Sequence, residues 1–334
     1  MQQSTTLLNT ERMSVDFKVQ SGRVRALSDV SLSLRQGEVL SLVGESGSGK
    51  STFALAVSRL LAPNAIVSKE TRILFRGTDI TKIKKSKMDA LRGSQIFMIF
   101  QNPFMSLNPL MRIKDQIREA IDVRDRRSGT RRTSEAGTEI ASVLKSVRIG
   151  DAEDVMQRYP HQLSGGQNQR IMLAMALVEK PSLLIADEPT TALDVTTQAQ
   201  VLLLIKEVIK ETGMSMLFIT HDLAVATSIS DRIAVLYGGM VQEVGPANRI
   251  VMDPKHPYTI GLIESIPNKS KKEGRLGAIK GSFSLAGLES MCAFVPRCPL
   301  AHDTCQKAVP PLLPVESGRY VRCVNFAEGG KPTG

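Results

Sequence analysis

The sequence predicts an α/β fold with a parallel sheet at its centre, and three observations carry that prediction. An apolar strand at residues 38–44 runs into a glycine-rich loop and then into a helical segment at 50–61. From residue 169 onward, apolar strands alternate with helices, which is typical of a parallel sheet. Before them, residues 30–34 alternate Val, Ser, Leu, Ser, Leu, and this period of two indicates a half-buried strand in a small antiparallel β-layer.

The 334 residues exceed one typical domain, and the remaining elements can be placed in order. The first helix is expected to stop near Pro63. Residues 111–156 have a helical composition, with a polar interruption at 124–138 that predicts an exposed loop. Beyond Pro257 the composition shifts to Pro, Gly and Cys, which predicts a separate small module. The later helices are predicted at 169–180 and 196–213, and the later strands at 182–187, 214–220 and, with a turn between two strands, 232–245.

Composition argues for a globular protein without a membrane span. Apolar residues make up 42% of the chain and charged residues 23%. The longest apolar run has eight residues, at 171–178, whereas crossing a bilayer takes about 20. The N-terminus shows no secretory signal, so a cytoplasmic location is expected. The formal charge of +10 favours phosphate-rich partners or anionic lipid headgroups, while the absence of Trp argues against a single-strand nucleic-acid binder.

A phosphate-binding loop is predicted at residues 44–51, where GESGSGKS follows the pattern of glycine, four residues and Gly-Lys-Ser. Glycines let backbone N–H groups wrap a phosphate at a helix N-terminus. Lys50 is expected to reach the β- and γ-phosphates, and Ser51 to ligate Mg²⁺. The predicted nucleotide-binding residues of this loop are Gly44, Glu45, Ser46, Gly47, Ser48, Gly49, Lys50, Ser51 and Thr52.

Two acidic residues end the predicted strand at 182–187. Asp187 suits the holding of Mg²⁺, while Glu188 is expected to orient or deprotonate an attacking water. The alternative for Glu188 is an acid in the first turn of the next helix, stabilised by the helix dipole. Both residues are expected at the carboxyl edge of the sheet, beside the phosphate loop.

A second anion site is predicted at residues 163–167, which have the sequence LSGGQ and precede a helix. One nucleotide does not require two such sites, so the pair indicates a shared nucleotide. The residues assigned to it are Ser164, Gly165, Gly166 and Gln167.

With LSGGQ unchanged and the phosphate loop intact, the sequence resembles the ATP-binding-cassette (ABC) ATPases over residues 10–250. That resemblance implies an antiparallel β-subdomain, a RecA-like parallel core and a helical subdomain at about 103–168. It also implies head-to-tail pairing of two cassettes, with each ATP between the phosphate loop of one and the signature of the other. Gln101 matches the family's glutamine that contacts Mg²⁺ and the attacking water. Residues 192–194, including Asp194, match its D-loop, His221 matches its switch histidine, and Phe17 is the candidate for adenine stacking.

Residues outside the core motifs narrow the resemblance to one group of ABC ATPases. QNPFMSLNP at 101–109, HPYT at 256–259 and the segment RCPLAHDTC at 297–305 are similar to the ATPases of oligopeptide, dipeptide and nickel importers. The resemblance implies a nucleotide-binding domain at 1–255 and a C-terminal extension at 256–334.

Four cysteines lie in this extension, at positions 292, 298, 305 and 323. A reducing cytoplasm favours thiols or a metal over disulfides. Zinc sites usually use close Cys-x₂₋₄-Cys pairs, which this spacing lacks, while four thiolates also satisfy a four-iron four-sulfur cluster. The cluster is the favoured prediction for Cys292, Cys298, Cys305 and Cys323, with Zn²⁺ and free thiols as alternatives.

The resemblance therefore implies an ATPase that uses ATP and Mg²⁺ to power uptake of a small solute at the cytoplasmic face of the membrane, with peptides as the leading cargo. It implies a second ATPase subunit or a homodimer, two permease subunits and an extracellular solute-binding protein. Oligosaccharide or nickel cargo remain alternatives, as does a soluble ABC ATPase acting on nucleic acid, although no nucleic-acid partner is expected.

Overall fold

The computed structural model describes residues 5–101, 106–129, 136–191, 193–266, 279, 281 and 290–326. The chain divides into two compact units. The first unit comprises Met1–Thr5, Arg35–Gly37 and Ile83–Leu217, and the second comprises Thr6–Leu34, Glu38–Lys82 and Phe218–Gly334. Most of the first unit is therefore one segment, Ile83–Leu217, inserted between two segments of the second unit. Within the described residues, no helix is long and apolar enough to cross a membrane.

A five-stranded sheet in the second unit forms the predicted β-layer. Its strands are β1 (Thr6–Val19), β2 (Gly22–Arg35), β4 (Ala65–Val67), β5 (Arg72–Phe75) and β6 (Thr78–Asp79). They lie in the order β2-β1-β5-β6, with β4 paired to β1, and β1 is antiparallel to both β4 and β5. Residues Val30, Leu32 and Leu34 of β2 are buried while their neighbours are more exposed, which confirms the predicted alternation.

The second unit also contains strands of a mixed sheet. These are β3 (Val39–Val43), β10 (Arg232–Tyr237), β11 (Met240–Pro246), β12 (Leu313–Glu316) and β13 (Arg319–Val321), in the order β12-β13-β11-β10-β3. Strand β10 is parallel to β3, whereas its hairpin partner β11 is antiparallel. All five residues of β3 are buried, as expected of a parallel strand covered on both faces. The helices of this unit are α1 (Lys50–Val57), α8 (Leu223–Ile229), α9 (Ala247–Met252), α10 (Pro257–Glu264) and α11 (Asp303–Lys307).

The first unit combines a parallel strand pair with helices. Strands β7 (Ile96–Ile99) and β8 (Leu183–Asp187) pair in parallel register, and β9 (Ser215–Thr220) crosses from this unit into the second. Helix α3 (Ile113–Ser128) carries Ile113, Ile117 and Ile121 at intervals of four, and all three are buried, so one face of the helix packs inward. The helices are α2 (Lys85–Leu91), α3 (Ile113–Ser128), α4 (Ala136–Ser146), α5 (Ala152–Gln157), α6 (Gly165–Glu179) and α7 (Val195–Thr212).

The α/β prediction is confirmed, but several element boundaries differ from the prediction, and helix α6 begins at Gly165 rather than at Gln169. Helix α1 ends at Val57 rather than near Pro63, because Arg59 adopts a left-handed φ of 51° and the Leu60 N–H donates to Leu55 O. The predicted loop at 124–138 was wrong over Arg124–Ser128, which continue α3, and over Ala136–Thr138, which begin α4. Ion pairs explain this: Arg124 contacts Glu139 at 2.5 Å, and Arg127 contacts Glu179 at 2.9 Å.

The predicted separateness of the C-terminal tail was also wrong, since its aromatic residues enter a core shared with the rest of the second unit. Tyr258 and Phe294 pack with Val43 and Tyr237, and all four are buried. Strand β13 adds to β11, pairing Val321 with Glu243. The boundary predicted between residues 255 and 256, and the helical subdomain at about 103–168, stay predictions.

A buried ion pair fixes β13 against β11. Arg319 and Glu243 both have fully buried side chains, and Arg319 Nη2 lies 2.7 Å from Glu243 Oε1. Arg319 also contacts Asp253 Oδ2 at 3.3 Å and donates to the Asp253 carbonyl. Glu243 accepts the backbone N–H groups of Lys255 and His256. One carboxylate thereby organises the chain entering α10.

Candidate active site

The glycine-rich loop joins β3 to α1 in the second unit. Gly47 and Gly49 have φ of 80° and 104°, a region that disfavours residues with a Cβ. A Cβ on Gly44 would lie 2.1 Å from the Leu236 carbonyl oxygen. Close backbone packing and turn conformation therefore explain the glycines, and they present the N-terminus of α1 as an anion-binding end.

Lys50 and the serines supply the polar groups of this loop. The Lys50 ammonium is almost fully buried and donates to Gly44 O at 2.7 Å and Glu45 O at 2.9 Å. The Ser48 hydroxyl is buried with no hydrogen-bond partner among the described residues. Ser51 is exposed at the start of α1, and Thr52 is half-buried. A buried cation beside an unpaired hydroxyl at a helix N-terminus suits a phosphate group, and the Ser51 hydroxyl is a ligand type that Mg²⁺ accepts.

Asp187, Glu188 and Gln101 belong to the first unit. Asp187 ends β8 and is buried, while Glu188 follows it with a left-handed φ of 47°. Gln101 Nε2 donates to Glu188 Oε2 at 3.1 Å, and Thr191 Oγ1 donates to the same oxygen at 2.9 Å. The structure therefore brings Gln101 and Glu188 together, and the two donors fix the orientation of the carboxylate.

The signature residues begin α6 in the same unit. Ser164 is the N-cap: its hydroxyl accepts the Gln167 N–H at 3.2 Å, and Gln167 Oε1 accepts the Ser164 N–H at 3.0 Å. This capping box, which has the Ser-x-x-Gln spacing of that motif, gives Gln167 a structural role. Gly165, at the first position of α6, is half-buried.

The signature also packs against the start of α7. A Cβ on Gly166 would lie 2.4 Å from Thr197 Cγ2. Asp194 caps α7 by accepting the Thr197 N–H at 3.0 Å, and this hydrogen bond lowers the Asp194 pKa. Thr197 therefore contacts both predicted motifs. Ala192 and residues 102–105, parts of two quoted motifs, lie outside the described residues.

His221 and Phe17 complete the predicted nucleotide set in the second unit. His221 is exposed and directly follows β9. Phe17 is half-buried on β1, opposite Ala65. Their roles as phosphate contact and adenine platform stay predictions.

The four cysteines line one cavity in the second unit, together with His256 and Phe294. Burial raises the pKa of Cys292 and Cys298, and it raises the pKa of Cys323 to about 11. The donor types fit a metal. However, across the described part of the chain no group of three or more His, Cys, Asp or Glu side chains is placed to hold a metal ion. The predicted iron–sulfur or zinc site is thus not supported by the geometry.

Sequence reasoning missed two residues that contact the phosphate loop, Arg297 and Tyr258. Both hydrogen-bond to Glu45. Arg297 lies 252 positions from Glu45, so no local pattern could have signalled their pairing.

Two family profiles match the chain, one over the nucleotide-binding region and one over the C-terminal region. A profile of the ABC transporter family matches residues 27–191, and one of the oligopeptide/dipeptide transporter C-terminal region matches residues 242–305. The chain is 42% identical over 328 residues to the oligopeptide transport ATP-binding protein OppD of Escherichia coli strain K12, covering 98% of this chain and 95% of that protein. It is 40% identical over 327 residues to AppD, an oligopeptide transport ATP-binding protein of Bacillus subtilis strain 168, covering 98% of each.

A solved structure gives the same result for the fold. The ATP-binding cassette MJ0796, in a dimeric post-hydrolysis state bound to ADP and Pi, matches with a TM-score of 0.63 and 28% identity. The match covers 72% of this chain and 98% of that one. These similarities confirm the fold and the resemblance that the motifs predicted.

Proposed function

This chain belongs to the ABC transporter ATPase family and carries the C-terminal region of oligopeptide and dipeptide transporters, and from that membership we propose that it powers the import of peptides. The observation that carries the proposal is the end-to-end similarity to OppD, because it extends past the ATP-binding region into the segment after residue 242. Nickel and oligosaccharide cargo are outcomes of the test below.

The phosphate loop supports ATP binding through its own charges. In this proposal, Lys50 exchanges its two carbonyl acceptors for oxygens of the β- and γ-phosphates, since charge-assisted hydrogen bonds are stronger than bonds to neutral carbonyls. Backbone N–H groups of the loop hold the phosphates, and Phe17 stacks on adenine. Ser51, Gln101 and Asp187 are the residues proposed to hold Mg²⁺, which would supply positive charge to offset that of the phosphates.

Glu188 is the proposed general base for hydrolysis. Its carboxylate takes a proton from water as the water oxygen bonds to the γ-phosphorus, and the bond from that phosphorus to the β–γ bridging oxygen breaks, giving ADP and phosphate. The hydrogen bonds from Gln101 and Thr191 support this role because they hold the carboxylate in one orientation. His221 is proposed to contact the γ-phosphate.

The signature and D-loop suggest a paired ATPase. We propose that Ser164, Gly165 and Gly166, with Gln167 and Asp194, complete the ATP site of a second cassette, which is either another copy of this chain or a related subunit. The solved MJ0796 cassette is dimeric, and its likeness to this chain supports the arrangement. Two permeases and an extracellular solute-binding protein complete the proposed importer, with the ATPase peripheral on the cytoplasmic face.

The four-cysteine cavity is proposed to take a four-iron four-sulfur cluster, or else Zn²⁺. The four thiols line one cavity, but they would have to draw together to ligate a metal. The test is iron, acid-labile sulfide and zinc analysis of protein purified without oxygen. About four irons and four sulfides per chain support the cluster, one zinc supports the alternative, and neither leaves free thiols.

Copurification from native membranes tests the transport proposal. The tagged chain should recover two permeases together with vanadate-sensitive ATPase activity. Uptake of labelled peptide, nickel and oligosaccharide by cells lacking the chain then identifies the cargo. Recovery of ribosomal or DNA-bound partners without permeases would refute transport while leaving the ATPase intact.

The substitution Glu188→Gln tests the proposed role of Glu188 in ATP hydrolysis. Glu188→Gln should bind ATP yet lower steady-state hydrolysis by at least about 100-fold, because the amide cannot accept the proton. Glu207→Gln is the matched control, since Glu207 is half-buried and paired with Arg148 in the same unit. Undiminished turnover in Glu188→Gln would refute the role of this residue.

A further inference from the structure

A side chain from the C-terminal region forms an ion pair with the phosphate loop. Arg297 Nη1 lies 2.7 Å from Glu45 Oε2, and Arg297 Nη2 lies 3.1 Å from Glu45 Oε1. This bidentate fork is the strongest geometry available to an arginine and a carboxylate. The Arg297 side chain is only 7% exposed and that of Glu45 28%, so solvent screens the pair weakly.

Arg297 is itself held in place. Its guanidinium lies over the Tyr237 ring, 5.8 Å from the centroid, and it donates to the Tyr237 hydroxyl at 3.4 Å and to Ile279 O at 3.3 Å. It ends a short 3₁₀ helix, Val295–Arg297, immediately before Cys298. The guanidinium therefore has a fixed position from which to orient Glu45.

The Glu45 backbone is fixed by a second contact from the same region. The Glu45 N–H donates to the Tyr258 hydroxyl at 2.9 Å. Tyr258 is fully buried and packs with Tyr237 and Phe294 at centroid distances of 4.5 and 5.3 Å. Side chain and backbone of Glu45 are thus both set by residues that lie outside the phosphate-loop motif.

The charge of Glu45 makes this contact relevant to ATP. A carboxylate inside a loop that binds a polyanion opposes binding unless a cation neutralises it. We propose that Arg297 is a positioning residue of the ATP site, neutralising and orienting Glu45 so that the phosphate loop accepts the nucleotide. This inference rests on the proposed ATP-binding role of residues 44–52. Affinity for ATP then depends on the cysteine-bearing region, because Arg297 acts through Glu45.

Calorimetric titration of the full-length chain with MgATP tests the proposal, with Glu188→Gln as the parent so that ATP is not consumed. In this parent, Arg297→Met should raise the Kd about tenfold, roughly 1.4 kcal/mol, because it leaves the Glu45 carboxylate unpaired. Adding Arg297→Met to Glu45→Gln should change the Kd by less than about threefold, because no carboxylate then remains for Arg297 to neutralise. Arg297→Lys, which keeps the charge, should lie between Arg297→Met and the parent.

Matched measurements separate this effect from loss of structure. Arg249→Met removes an exposed cation from the same unit and should leave the Kd unchanged. The Arg297→Met defect should shrink between about 50 and 500 mM salt, since screening weakens repulsion. Melting by circular dichroism checks that each variant folds.

Two results would overturn the inference: a folded Arg297→Met with the parent's affinity, or an equal fold-loss of affinity when Arg297→Met is made in the parent and in Glu45→Gln. A parent that binds no MgATP, or a Lys50→Ala variant that binds it normally, would instead refute the proposed nucleotide site.

Discussion

Removal of Arg319 tests how far the C-terminal strand stabilises the second unit. In Arg319→Met the aliphatic stem is retained, but the Glu243 carboxylate stays buried without its cation. Breaking one side of a buried pair costs about 3–5 kcal/mol. Because Glu243 still accepts the N–H groups of Lys255 and His256, we expect the lower end, about 3 kcal/mol. In a unit of this size that corresponds to a fall in Tm of about 6–12 °C.

Differential scanning calorimetry measures this loss, and it suits a chain that has no Trp to report unfolding by fluorescence. The control is Arg12→Met, whose ion pair with Glu70 is more than 60% exposed on both sides and is worth less than about 1 kcal/mol. Arg319→Met with Glu243→Gln should recover about half of the loss, since no unpaired charge remains. An Arg319→Met melting temperature equal to that of Arg12→Met would refute the reasoning.

Two further predictions concern the signature and the pH dependence of stability. Gly166→Ala should lower the free energy of unfolding by about 1–3 kcal/mol in urea denaturation, because its Cβ would collide with the Thr197 methyl. Adding Thr197→Ser, which removes that methyl, should restore most of the lost stability. If stability does not recover, the strain lies elsewhere than at Thr197. Burial lowers the His256 pKa to about 3, against about 6.5 when unfolded, so the unfolded chain alone gains a proton as pH falls between these values. This residue should therefore lower the free energy of unfolding by up to about 1.4 kcal/mol for each pH unit of acidification. His256→Asn, which keeps an N-cap acceptor, should give a flatter curve of stability against pH between pH 6 and pH 4. Parallel stability curves for the two proteins would contradict a buried neutral histidine.

Local patterns predicted the parts of the site that depend on neighbours in sequence. The loop at 44–51 was predictable because its glycines serve turn geometry and close packing within a few residues. The hydrogen bond between Gln101 and Glu188 was not predicted. Glu188 was placed at the carboxyl edge of the sheet from the end of its strand, whereas Gln101 was assigned through the family resemblance alone; because β7 and β8 are parallel, both residues follow strands that end at this edge. Such inferences succeed where topology leaves few alternatives.

Long-range charge pairing limited the prediction elsewhere. The run beginning at Arg124 looked like a loop because of its charge and its Gly and Ser content, yet Glu139 and Glu179, more distant in sequence, pair with Arg124 and Arg127. The tail looked separate because composition reveals a change of residue types but not the surface they cover. The residues that join the tail to the core of the second unit are Tyr258 and Phe294, and their burial depends on tertiary packing, which composition does not reveal.

The shared core of the second unit sets an order for folding during synthesis. Strands β3, β10 and β11 leave the ribosome before Phe294 and Val321, which later cover them. Until then, an apolar face and the edge of β11 are open to solvent and to other nascent chains, a state prone to aggregation and proteolysis. A chain shortened after Met252 would keep every nucleotide motif and still lack the residues that close its core, so this ATPase region is not expected to persist as an independent fragment in the cell.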